Sequence, residues 1–63
     1  MTPRQLQILR MIADGHTNKA IAHQLGDLSP WTVNEHLKHI LANLGVCTRA
    51  HAVAKAMREG LIK

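Results

Sequence analysis

The hydrophobic positions of this chain fall into four short segments that have the spacing of amphipathic helices. The clearest is the third, in which Val33, Leu37, Ile40, Leu41 and Leu44 recur at steps of four, three, one and three residues. At about 100° per residue, these side chains share one face of a helix. No segment alternates apolar and polar residues as a half-buried strand does, so the pattern predicts an all-α fold of four helices.

Each predicted helix begins after a residue with a side-chain hydroxyl and ends at a glycine. A hydroxyl oxygen there accepts a hydrogen bond from the first turn, and glycine readily takes the left-handed conformation that ends a helix. The expected starts are Thr2, Thr17, Ser29 and Thr48, and the expected ends are Gly15, Gly26, Gly45 and Gly60. Leu61 and Ile62 follow the last helix and are expected to fold back onto the core. The 63 residues are therefore expected to form one domain, residues 1–63.

The second and third predicted helices are separated only by Gly26, Asp27 and Leu28. Two helices joined by such a short turn containing glycine are typical of the helix-turn-helix motif, although plain bundles also contain short turns. Leu28 is expected to fill the inside of the turn.

The polar face of the third helix favours contact with DNA. A helix that enters the major groove needs donors and acceptors for base edges, with nothing bulky at its centre. A merely solvated face would usually carry more Glu–Lys pairs than the single Glu and single Lys found here. The face consists of Trp31, Glu35, Lys38, His39 and Ala42, with Asn34 and Thr32 on its flanks.

Composition supports a nucleic-acid partner and argues against other classes of protein. Eight Lys and Arg against four Asp and Glu give a charge of +4, which suits a polyanion but also suits simple solubility. The single cysteine, Cys47, excludes an internal disulfide and fits a reducing cytoplasm. No apolar run is long enough to cross a membrane and no signal segment is present. We therefore expect a cytoplasmic protein without membrane contact.

Neither a metal site nor catalysis is expected. The pair His36 and His39 and the pair Cys47 and His51 have spacings that can chelate a metal, but they lie on different predicted helices with nothing to indicate that they converge. The four acidic residues form no close pair, and the chain has no glycine-rich phosphate loop and no nucleophile motif. The chain is therefore expected to be no enzyme and to need no cofactor.

The order and spacing of many short segments resemble the LuxR-type (FixJ/NarL) helix-turn-helix domain, from Thr2 to Ile62. The matching segments are Thr2-Pro3-Arg4, Thr17-Asn18-Lys19, Ile21-Ala22, Leu25-Gly26, Thr32-Val33, His36-Leu37, Leu44-Gly45-Val46, Arg49, Ala52-Val53-Ala54 and Gly60-Leu61-Ile62. The resemblance implies sequence-specific binding to double-stranded DNA in bacterial transcription regulation. It also implies that a receiver or ligand-binding domain precedes this domain in a longer regulator.

The resemblance also assigns roles to individual residues. It makes the third helix, about residues 30–44, the recognition helix in the major groove. The implied base contacts are Asn34 to adenine, Glu35 to cytosine and Lys38 to guanine. The implied phosphate contacts are Thr17, Lys19, Thr32, His36 and Arg49. Glu35 has a second interpretation, in which its carboxylate acts by rejecting wrong sequences.

The chain departs from the pattern of the family in three places. Asp27 is an extra residue in the turn, which either tilts the recognition helix or bulges outward. Pro30-Trp31 replaces a pair that is more often charged, and Ala20 stands where an acidic residue is common. We expect Trp31 to cover the turn, with contact to a sugar–phosphate strand as the alternative.

The fourth helix has more apolar surface than one core requires. The apolar residues Ala50, Ala52, Val53, Ala54, Ala56 and Met57 spread over an arc of about 200°. The surplus lies around Ala50, Ala54 and Met57, and the resemblance implies a homodimer contact there. Alanine is also simply a good helix former. A second class of function therefore stays open, in which the fourth helix binds another protein and the basic charge is incidental.

Overall fold

The computed structural model describes all 63 residues and contains four α-helices and no strand. Helix α1 spans Pro3–Ala13, α2 spans Asn18–Gln24, α3 spans Pro30–Leu44 and α4 spans Arg49–Arg58. The predicted all-α fold of four helices is confirmed, and each helix begins directly after its predicted capping residue. None of the helices combines the length and the apolar character needed to cross a membrane.

The helix starts follow from local hydrogen bonds. The hydroxyl oxygens of Thr2, Thr17, Ser29 and Thr48 each accept a hydrogen bond from the backbone N–H three residues further on, at 3.1 Å in every case. At α1 the backbone N–H of Thr2 also donates to Oε1 of Gln5 at 3.0 Å, which completes a capping box. Each such cap stabilises a helix by about 1 kcal/mol, which matters most for the short α2.

The end of α3 shows why glycine follows it. Gly45 has a φ of 68°, in the left-handed region. Its N–H donates to the carbonyl of Ala42, and the N–H of Val46 donates to the carbonyl of Leu41. This arrangement satisfies carbonyl groups that would otherwise lack partners at the end of the helix.

Helix α3 is the centre of the domain, because it packs against each of the other three helices. The core is entirely aliphatic, and no polar or charged residue is buried in it. Its members are Ile8, Leu9, Ile21, Ala22, Val33, Leu37, Ile40, Leu44, Val46, Ala52, Ala56 and Ile62. Ile62 is 4% exposed, so the residues after α4 do fold back as predicted. Contact on three sides fixes the orientation of α3 and of its outer face.

Two polar contacts join α4 to the rest of the domain. Nζ of Lys55 donates to the backbone carbonyl of Leu44 at 2.7 Å, so a cation of α4 caps the last residue of α3. Nη2 of Arg49 donates to Oδ1 of Asn18 at the start of α2. The first turn of α4 is therefore tied to the start of α2, and its last turn is tied to the end of α3.

Candidate nucleic-acid interface

The turn between α2 and α3 contains two consecutive residues in the left-handed region. The φ angles are 100° for Gly26 and 58° for Asp27. Asp is one of the few residues other than glycine that adopt this conformation at moderate cost. The N–H of Leu28 then donates to the carbonyl of Ala22 at 3.0 Å, which brings the chain back onto the domain.

The extra residue of this turn bulges outward. The side chain of Asp27 is 82% exposed, and its Oδ1 lies 3.0 Å from Nδ1 of His23 on α2. Leu28 is half-buried and packs against the core, as expected for the residue that fills the inside of the turn. The bulge therefore lengthens the turn at its surface while the apolar inside of the turn stays packed.

Trp31 does not cover the turn, so that expectation is wrong. Trp31 is 69% exposed, more than any other large hydrophobic side chain of the domain. The physical reason is its position in the first turn of α3, two residues before Val33, which is fully buried. Side chains two residues apart on a helix point in very different directions, and Leu28 already occupies the space beneath the turn.

The three residues expected to contact bases lie along the outer part of α3. Lys38 is exposed, whereas Asn34 and Glu35 are half-buried. Nζ of Lys38 lies 3.4 Å from Oε1 of Glu35, so two of these residues form an ion pair with each other. An ion pair at the surface contributes little to stability, and both groups can exchange it for partners on a ligand at small cost.

The residues expected to contact phosphate fall into two groups. Thr32 and His36 are half-buried on α3, and Oγ1 of Thr32 lies 3.0 Å from Oγ of Ser29. The second group lies at the start of α2, where Oγ1 of Thr17 caps the helix, Lys19 is exposed, and Arg49 reaches across from α4.

Asn18, for which the sequence predicted no contact, also belongs to this second group. Its Oδ1 accepts the hydrogen bond from the Arg49 guanidinium, across 31 residues of chain. Nε of Arg49 is buried without a hydrogen-bond partner. One N–H group of the Arg49 guanidinium is therefore used to hold α4 against α2. No spacing rule signals such a contact, because it depends on how the helices pack.

The apolar residues of α4 that the core does not use are at the surface, as their arc predicts. Ala50, Ala54 and Met57 are exposed, Met57 by 53%. They line one side of a groove whose other side is formed by Ile12 and His16 near the end of α1. This surface is built from small and flexible apolar side chains, unlike the outer face of α3.

No group of three or more His, Cys, Asp or Glu side chains lies close enough to hold a metal ion. Of the four acidic residues, only Glu35 belongs to α3. The outer face of α3 therefore carries one carboxylate, and that carboxylate is paired with Lys38.

Comparison with known proteins places this geometry in a family. The GerE family, described as bacterial regulatory proteins of the luxR family, matches residues 1–56. An HTH-type transcriptional regulator of Mycobacterium bovis, Mb0914c, is 40% identical over 60 residues, which cover 95% of this chain and 7% of the relative. The nitrate/nitrite response regulator protein NarL of Escherichia coli is 39% identical over 59 residues, which cover 94% of this chain and 27% of NarL.

A solved structure of a response regulator has the same fold as this chain. The response regulator ChrA of a heme-sensing two-component system superposes with a TM-score of 0.91 and 36% identity, over 97% of this chain and 30% of that protein. The chain thus spans less than a third of the length of these three proteins. The chain belongs to the luxR family of bacterial regulatory proteins, a family of transcription regulators with a helix-turn-helix DNA-binding domain and not of enzymes.

Proposed function

We propose that this domain recognises a specific sequence of double-stranded DNA by placing α3 in the major groove. One observation carries the proposal: the outer face of α3 presents polar side chains on a helix that three others hold in place. A rigid helix next to a short turn can present side chains to base edges at a defined angle. Rigid placement matters because hydrogen bonds to bases require accurate geometry.

Three side chains of α3 provide the proposed base contacts. Lys38 donates to guanine O6 and N7, Asn34 pairs with adenine, and Glu35 accepts from cytosine N4. The ion pair between Lys38 and Glu35 opens on binding, so that each group exchanges its partner for a base edge. On sequences that offer Glu35 no donor, its carboxylate repels the phosphates and lowers affinity.

The proposed phosphate contacts flank α3 and fix its register on the duplex. Thr32 and His36 lie on α3 itself, and Thr17, Lys19 and Arg49 lie at the start of α2 and of α4. The hydrogen bond from Arg49 to Asn18 holds this second group together, so Asn18 acts as a positioning residue. The guanidinium group of Arg49 has further N–H donors for a phosphate oxygen.

We further propose that two copies associate through α4 at Ala50, Ala54 and Met57. Their exposure on one side of a groove supports this assignment, since small side chains let two helices approach closely. A dimer of this kind is two-fold symmetric and binds two half-sites about 10 base pairs apart.

The domain is proposed to be the effector part of a longer regulator in the bacterial cytoplasm. The relatives are much longer than this chain, and NarL and ChrA are named as response regulators. A receiver or ligand-binding domain on the N-terminal side would supply the controlling signal. That N-terminal domain would decide when the present domain binds DNA, whereas the DNA sequence that is bound would depend on α3.

Selection from a random pool of duplexes tests the function. The domain is fused to a leucine zipper to supply dimerisation, and selection is done at about 150 mM salt, where non-specific binding is weak. We expect a defined half-site to be enriched, and the enrichment to vanish in an Asn34→Ala, Lys38→Ala variant. A Gln7→Ala, Arg10→Ala variant is the matched control, because it removes the same charge from exposed positions of α1.

The outcomes separate the two classes of function. Enrichment in the parent and control, but not in the α3 variant, supports base recognition by α3. If neither the parent domain nor either variant enriches a sequence, the proposal of DNA recognition is wrong. The groove beside α4 then favours the second candidate, a protein-interaction domain, because its lining of Ile12, Val53 and Met57 offers apolar contact.

A further inference from the structure

Trp31 is a costly residue to leave in water. It is the only aromatic residue of the chain, and 69% of it is exposed. Trp is usually strongly buried in a small domain, because its side chain has a large apolar surface. The core is complete without it, since the buried residues are all aliphatic. The fold therefore gives no reason for a tryptophan at this position.

The position of Trp31 points to the same ligand as the polar residues of α3. Trp31, Glu35 and Lys38 are spaced at i, i+4 and i+7, which places them on one face of the helix. Trp31 lies in the first turn of α3, and the first residues of a recognition helix contact base edges. If Glu35 and Lys38 reach bases, a side chain in line with them reaches the major groove as well.

The chemistry of the indole indicates which group of the DNA Trp31 contacts in the major groove. The indole has a single N–H donor to offer a phosphate oxygen, whereas most of its exposed surface is apolar ring. The one apolar group that base pairs expose in the major groove is the 5-methyl group of thymine. Contact with that methyl group removes apolar surface from water on both molecules.

We propose that Trp31 is a specificity-determining residue that packs its indole ring against the 5-methyl group of a thymine in the bound DNA. The proposal rests on the proposed function, since it requires α3 to lie in the major groove. It adds to the half-site a base pair that Asn34, Glu35 and Lys38 do not read. The thymine lies beyond the base pairs read by Glu35 and Lys38, toward the N-terminal end of α3.

The test uses the duplex enriched by the zipper-fused domain and removes one methyl group at a time. Each thymine is replaced in turn by deoxyuridine, which keeps base pairing and removes only the methyl group. We expect one position in each half-site at which binding weakens roughly fourfold, the effect of losing one buried methyl-sized group. In Trp31→Ala the same replacement should have no effect, because the methyl group has lost its partner. Trp31→Phe should restore the sensitivity.

A second signal comes from Trp31 itself, which is the only tryptophan in the domain. Its fluorescence emission should shift to shorter wavelength on binding the thymine duplex and shift less on binding the deoxyuridine duplex. A fusion partner without tryptophan keeps this signal unambiguous. Helical circular dichroism checks that Trp31→Ala remains folded, as its exposure predicts.

The possible failures are distinguishable. Equal sensitivity of the parent and Trp31→Ala to every deoxyuridine overturns the thymine contact while leaving DNA recognition by α3 intact. A Trp31→Ala variant that loses affinity equally for selected and scrambled duplexes also overturns it, because such a residue contacts the backbone. If no duplex is enriched at all, the proposed function fails and this inference fails with it.

Discussion

The outer faces of α3 and α4 are both exposed helix surfaces on one aliphatic core, yet they differ in chemistry. The face of α3 carries an ion pair, a histidine and a tryptophan, whereas that of α4 carries Ala50, Ala54 and Met57. Directional polar groups suit a ligand with a fixed pattern of donors and acceptors. Small apolar groups suit close approach of another helix. The difference in chemistry therefore supports assigning a different proposed partner to each face, DNA to α3 and a second copy of the chain to α4.

The largest expected effect comes from making one change on each face. Ala42→Glu on α3 should weaken binding to the selected duplex roughly 100-fold or more, because it places a carboxylate against DNA. Ala54→Glu on α4 should abolish self-association and leave DNA binding of the zipper-fused domain unchanged. Both positions are exposed, so both variants should fold. Fluorescence anisotropy measures DNA binding, and sedimentation equilibrium of the unfused domain measures association.

The two variants serve as controls for each other, since each replaces an exposed alanine with glutamate. If Ala54→Glu weakened DNA binding as much as Ala42→Glu, added negative charge alone would explain both results. The assignment of DNA binding to α3 and of self-association to α4 would then be wrong.

Lys38→Ala should have the next largest effect on the DNA-binding face. Loss of a base contact from Lys is expected to weaken binding to the selected duplex by about 10- to 100-fold. Lys63→Ala removes the same charge from an exposed position outside the helices and should have little effect. Anisotropy titrations on selected and scrambled duplexes measure both. Equal losses on the two duplexes would make Lys38 a phosphate contact.

Ser29→Ala and Thr48→Ala remove the capping oxygens of α3 and α4, which form equivalent hydrogen bonds at 3.1 Å. Each should lower the free energy of unfolding by about 1 kcal/mol. The two losses should be nearly equal, because one shared core makes unfolding cooperative. Urea denaturation followed by circular dichroism at 222 nm measures them. A transition in two steps would show that α4 unfolds independently of α3.

Glu35→Gln should have the smallest effect and should change specificity more than affinity. Removing the carboxylate frees Lys38 and takes negative charge away from the phosphates. Affinity for a scrambled duplex should therefore rise roughly threefold at low salt. Asp14→Asn removes an equal charge from the end of α1 and serves as the control. Unchanged affinity for the scrambled duplex would contradict a repulsive role for Glu35.

The helices were predictable because their signals are local. Each capping oxygen accepts a hydrogen bond from a residue only three positions further along the chain. The position of a Thr or Ser before each apolar segment was therefore enough to predict all four helix starts. The aliphatic stripe of α3 likewise predicted its buried face. The family resemblance supplied the candidate contacts, which lie on α3 and at the starts of α2 and α4 and stay predictions.

Contacts between distant parts of the chain were not predictable. The bond from Arg49 to Asn18 and the bond from Lys55 to Leu44 depend on how α4 packs, which no spacing encodes. The expectation for Trp31 failed for a related reason. Hydrophobicity suggested a covering role, but the direction of its side chain in the first turn of α3 and the packing of Leu28 decide its exposure.

The two ties of α4 have a thermodynamic consequence for the whole domain. Arg49 holds the start of α2 and Lys55 holds the end of α3, so displacement of α4 changes the free energy of the helix-turn-helix unit itself. Under the proposed function, a partner whose binding to α4 weakens either contact would therefore also change the affinity for DNA. Linkage makes this reciprocal: DNA must alter the affinity for that partner by the same factor.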